Sequence, residues 1–123
     1  MNRPLLIYVA GPLSNGGKVG GVGLLHNMHN MFATVDSLER HGREVGRIYY
    51  AYAPCSDAME IIIDGQKDLP SIQAKSLELM RRCDVVYRML GESPGADNEV
   101  MEAKACKIPV VQTMRELDKV VAK

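Results

Sequence analysis

The chain has 123 residues, 46% of them apolar, with 15 basic and 15 acidic side chains and a formal net charge of zero. That is the size of one domain, residues 1–123, with enough apolar material for a core that needs neither disulfides nor a structural metal. The even charge balance offers no attractive field to nucleic acid or an anionic membrane, and no apolar run approaches the roughly 20 residues of a membrane span.

The N-terminal MNRPLLIYVAGP is too short for a secretory signal, so a cytoplasmic location is expected. Within it, LLIYVA (5–10) is continuously apolar, the mark of a strand buried on both faces in a parallel sheet. A glycine-rich loop comes next, GPLSNGGKVGGVG (11–23). Met28, Met31, Phe32, Val35 and Leu38 then recur at helical spacing, and Gly42 is placed to end that helix. A weaker strand signal lies around Val45 to Tyr50. AYAPCSDAM reads as a loop, and MEIIID as a short strand or a helical turn. Pro70 suits a helix start, with Ile72, Ser76, Leu79 and Cys83 along one face. DVVYRML (84–90) is a second strong strand. A helix is expected from about Asp97 to Lys107, then a short strand PVVQ, then a last helix opened by the capping box Thr113–Glu116. Strands alternating with helices predict an α/β sandwich with a mainly parallel sheet.

Ligands of such sheets bind beyond the carboxyl ends of the strands. Two segments take that place, GPLSNGG after the first strand and GESPGADNEV after DVVYRML. Both are rich in Gly and Ser, which lets backbone N–H groups approach an anion. The first is neither a Walker A loop nor a dinucleotide fingerprint. Glu99 is expected in the first turn of its helix, where the free N–H groups favour a carboxylate that can serve as nucleophile or base. Glu also suits the first turn of any helix. Asp97 is assigned to the helix N-cap, with a second carboxylate at the site as the alternative.

Cys55, Cys83 and Cys106 are an odd, widely spaced set without CxxC, so buried free thiols are expected rather than disulfides or a zinc knuckle. His26 and His29 stand at i, i+3 with no third ligand nearby, so no metal is assigned. Asn27 and Asn30 face a ligand sugar or cap the helix. Tyr49, Tyr50 and Tyr52 pack in a strand or stack on a base. Asp84 reads as structural.

IYVAGPLS (7–14), the helix ending LERHG, and RCDVVYRMLGESPGADNEVMEAKACKIPVV (82–111) resemble the nucleoside 2-deoxyribosyltransferase-like superfamily, in particular its small bacterial and phage branch. The resemblance covers the first 45 residues or so and residues 76 to 112. It implies a flavodoxin-like, Rossmann-type three-layer sandwich that cleaves the N-glycosidic bond of (deoxy)nucleosides or their 5′-monophosphates. The nucleophile of the family's G-x-x-x-E helix start falls on Glu99, and the tyrosine that hydrogen-bonds it falls on Tyr8. Gly11, Pro12, Ser14, Ser93, Gly95 and Asp97 are the implied substrate-binding residues. Members that act on free nucleosides carry Asp six residues before the nucleophile. Ser93 stands there, as in the 5′-monophosphate branch.

Ser76 stands where members usually carry an Asp that positions substrate and assists departure of the base. Three outcomes stay open. Asp57, Asp64 or Asp68 fills the role, the reaction is slow, or the protein only binds a nucleotide-derived ligand. The resemblance further implies a small-molecule partner, no cofactor and a homodimer or larger homo-oligomer. A purely structural assembly protein is the remaining class, and it would leave Glu99 exposed and unpaired.

Overall fold

The structure, a computed structural model, describes residues 3–13, 21–54 and 69–122. The first strand is where the apolar run placed it: β1 is Leu5–Ala10, with Ile7 to Ala10 fully buried. After it come α1 (Gly21–Glu44), β2 (Tyr49–Tyr52), α2 (Leu69–Arg81), β3 (Val85–Arg88), α3 (Pro94–Ala105), β4 (Val110–Val111) and α4 (Met114–Ala122).

The four strands form one sheet in the order β2-β1-β3-β4, parallel throughout. Side chains alternate across it. Ile7 and Val9 meet α1 and α4, where Leu24, Met28, Met31, Leu38 and Leu117 complete one core. Tyr8 and Ala10 face the other way, toward Met80 of α2 and Ala96 and Ala103 of α3. The result is the expected α/β three-layer sandwich, flavodoxin-like in layout. The chain leaves β1 toward β2 on one side and later leaves β3 toward β4 on the other. The strand order therefore reverses between β1 and β3, where open parallel sheets form their ligand crevice.

Several boundaries differ from the sequence reading. Helix α1 does not stop at Gly42. It runs to Glu44 and closes on Gly46, whose φ is 75°, with Arg47 N donating to Gly42 O at 2.7 Å. Gly42 serves a close approach instead, because a Cβ there would lie 2.8 Å from Cγ of Tyr49. The second strand begins at Tyr49, later than expected. Phe32 is 56% exposed, while Met28, Met31 and Leu38 are buried. It sits roughly a quarter turn around α1 from the centre of that stripe. Cys106 is exposed, and Cys83 is half-buried with its thiol pushed up to about 11, chiefly by burial. Cys55 lies outside the described residues.

Other elements keep to the expected grammar. Glu116 N donates to Thr113 Oγ1 at 3.1 Å, and the Glu116 carboxylate accepts from Gln112 N, so the capping box opens α4. Asp84 is structural: it takes Leu6 N at 2.8 Å and Arg3 at 2.6 Å, fixing the start of β1 against β3. At that amino end Asp118 of α4 accepts from Tyr49 OH at 3.0 Å and lies 2.8 Å from His41 Nε2 of α1. Among the described residues no helix is long and apolar enough to cross a membrane.

Candidate active site

Helix α3 opens on a regular start. Ser93 is the N-cap, in extended backbone, and its hydroxyl accepts from Ala96 N at 3.1 Å, while Pro94 occupies the first helical position. The cap is therefore Ser93, not Asp97, and Glu99 lies in the second turn rather than the first. Asp97 is 68% exposed on its side chain and pairs with Arg88 at 3.0 Å.

The small residues Ala96 and Ala103 are buried against the sheet and let α3 come close. Glu99 stands at i+3 from one and i−4 from the other, on the inward stripe of the helix. It is half-buried, and it accepts a hydrogen bond on Oε2 from the hydroxyl of Tyr8. Tyr8 comes from the middle of the sheet, paired in register with Val86 on one side and Tyr52 on the other. The Tyr52 ring lies 5.8 Å from that of Tyr8, tilted by 46°. Ser76 of α2, 7% exposed, completes the group by hydrogen-bonding Tyr8. Four elements thus converge on one phenol.

The electrostatics keep that phenol protonated. Burial raises the Tyr8 pKa far above its ordinary value; the Glu99 charge and the hydrogen bond to it push the same way, and the Ser76 hydroxyl opposes them. Tyr8 is therefore a fixed donor that holds one oxygen of Glu99. The consequence for stability has a definite sign. In the unfolded chain a tyrosine loses its proton near pH 10, whereas folded Tyr8 keeps it. The unfolded state then binds fewer protons, and stability falls as pH rises above about 10. Denaturation midpoints measured from pH 8 to 11.5 should fall more steeply for the wild type than for Tyr8→Phe. The difference in slope is expected to approach about 1.4 kcal/mol per pH unit. Parallel curves would contradict the burial of a protonated phenol.

The two loops beside this pair pack on each other. Met89 N donates to Ala10 O at 2.8 Å. A Cβ on Gly11 would lie 2.9 Å from the Met89 side chain, and one on Gly91 would lie 2.9 Å from Cγ of Pro12. Gly11 and Pro12 are thus held against Met89 and Gly91, and Asn27 of α1 ties Leu13 O at 2.7 Å. That bond is neither of the roles expected for Asn27. Gly95 differs: a Cβ there would meet nothing within 4 Å, so the backbone at the start of α3 is open to approach. Ser14, Asp57, Asp64 and Asp68 lie outside the described residues.

Arg88 is a member of this region that the sequence reading missed. It is 8% exposed, and its guanidinium donates to Met89 O, to Gly91 O at 2.9 Å and to Asp97 Oδ1 at 3.0 Å. A signal for it exists in the sequence: one cation inside an apolar strand run must find partners when buried. His26 contacts Asn30 at 3.3 Å, and among the described residues no group of three or more His, Cys, Asp or Glu is arranged to hold a metal.

No family model matches the chain, and no curated protein matches it. Among solved structures, a 2-deoxyribosyltransferase from the psychrotolerant bacterium Bacillus psychrosaccharolyticus is similar, with a TM-score of 0.47 and 18% identity, covering 85% of this chain and 69% of that one.

Proposed function

We propose that this protein cleaves or transfers the N-glycosidic bond of a nucleoside or nucleoside 5′-monophosphate, with Glu99 as nucleophile and Tyr8 as its orienter. The observation that supports this most is the buried phenol of β1 donating to the α3 carboxylate at the reversal of strand order. A carboxylate oxygen of Glu99 attacks C1′ as the C1′–N bond breaks through an oxocarbenium-like transition state, and the base leaves with the bonding electrons. A second base or water then attacks C1′ and releases Glu99. The departing base takes its proton from solvent or from an acid of the protein. Ser93 stands at the position that favours a 5′-monophosphate; its hydroxyl accepts from Ala96 N, which leaves its proton to donate. A cytoplasmic setting and a homo-oligomer belong to the same proposal.

One observation favours a second reading, a nucleotide-ligand binder without turnover. Ser76 hydrogen-bonds Tyr8 from the place where an acid is expected, and a hydroxyl does not do a carboxylate's acid–base work at neutral pH. The deciding experiment measures release of free base from a panel of deoxynucleosides and their 5′-monophosphates. Release establishes glycosidic chemistry, and the preferred substrate tests the Ser93 argument. Saturable ligand binding without release from any substrate establishes the binder and rejects the enzyme.

A further inference from the structure

Helix α3 separates two crevices. At 100° per residue, Ala96 and Ala103 point to the sheet while Glu99 and Glu102 turn toward α2. Glu102 meets Arg81 of α2 at 2.9 Å. Asp97, Val100 and Lys104 turn the other way. Together with Arg88, Val110 and Gln112 they line a cavity of about 370 Å³ at the carboxyl ends of β3 and β4. This cavity lies across α3 from the Tyr8–Glu99 pair, and Asp97, which the resemblance implies for substrate, turns to this side with Arg88.

Arg88 makes it more than a surface dent. Its side chain is 10% exposed, yet it lines the cavity wall. A guanidinium has five N–H donors. Three are used, on Met89 O, Gly91 O and Asp97 Oδ1, and the other two have no acceptor among the described residues. Buried donors without a partner are costly, so an arginine in a cavity wall with two donors to spare is suited to receive an acceptor. Lys104 supplies a second cation two turns along the same face of α3. The two carboxylates on the wall differ in availability. Glu116 already serves the capping box, accepting from Gln112 N and Thr113 Oγ1. Asp97 is the exposed partner of Arg88 and is the group an incoming anion displaces. With Asp97 displaced, two cations stand against Glu116 alone, one positive charge in excess, which suits a singly charged head rather than a dianion. Val100, Val110 and Met89 offer apolar wall to the rest of the ligand.

We propose that this cavity is a second binding site, for a small carboxylate with an apolar body, held by Arg88 and Lys104. The test is a titration of the full chain with acetate, butyrate and benzoate, and with inorganic phosphate, monitored at the Arg88 Nε–H and the backbone amides in proton–nitrogen correlation spectra. Saturable shifts are expected at Arg88, Lys104 and Gln112, with benzoate and butyrate tighter than acetate and phosphate. Lys104→Gln should weaken binding by about two- to fivefold, and Asp97→Asn, which removes the competitor, should tighten it by a similar factor. The opposite signs of these two surface variants keep the test independent of whether an Arg88 variant folds. Repeating the titration in Glu99→Gln separates the two crevices: unchanged shifts support a distinct site. Shifts that vanish in Glu99→Gln, an absence of saturable shifts at Arg88, or equal affinities in Lys104→Gln and Asp97→Asn would overturn the proposal.

Discussion

Glu99→Gln is expected to lower release of base by about 10³-fold or more on any substrate the wild-type protein cleaves. The amide keeps the volume of the side chain, and its carbonyl still accepts from Tyr8, so the pocket keeps its shape. What it loses is the negative charge that, in the proposed reaction, attacks C1′ and stabilises the oxocarbenium ion. Substrate affinity should change far less than turnover, because the loss falls on the transition state. Thermal melting should move little, since Glu99 is half-buried and the replacement is isosteric. A variant that still releases base at a rate near wild type would remove Glu99 from the mechanism, whatever its distance from Tyr8.

The second large effect is structural. Gly91→Ala should destabilise the fold by about 2–4 kcal/mol, a fall of roughly 10 °C in melting temperature. Two costs coincide there. Gly91 has a φ of 115°, which a side chain with a Cβ adopts only under strain, and the new methyl would meet the Pro12 ring at 2.9 Å. Relief requires the β3–α3 turn to part from the β1–α1 loop, which would shift the start of α3 and Glu99 with it. Gly95→Ala is the control in the same turn. It sits inside the helix with nothing near its Cβ, so it should stabilise by up to about 1 kcal/mol. A Gly95→Ala protein that is more stable but less active would place a ligand against that backbone. Equal losses of stability in both variants would show that the turn is not held as described.

The central strands are legible in the sequence because burial on both faces leaves a short continuous apolar run, which occurs mostly in parallel sheets. LLIYVA coincides with β1 residue for residue, and DVVYRML contains β3. The Tyr8–Glu99 pairing comes from resemblance, since periodicity places a glutamate on a helix face but not opposite a tyrosine 91 residues away. The start of α3 is harder to read because Ser-Pro-Gly satisfies turn chemistry. The same three residues are also a cap, a first helical proline and a tolerated glycine, and only the residues after them separate the two grammars. Gly42 misleads for a related reason. Glycine marks either a left-handed turn or a close approach, and the aromatic ring that requires it lies on another element. Arg88 is the reverse case, in which a charge inside an apolar strand is readable and only its partners are not.

Glu39 of α1 reaches the edge of the sheet and accepts from Ala51 N of β2 at 3.0 Å. Among the described residues β2 is an outer strand, and that amide faces away from β1, toward any chain that would add to the sheet. Exposed strand edges are templates for pairing with other chains, and soluble proteins blunt them. Here a carboxylate from the neighbouring helix sits where a foreign carbonyl would dock, and it brings negative charge as well. Addition of a foreign strand at this amide is thereby disfavoured.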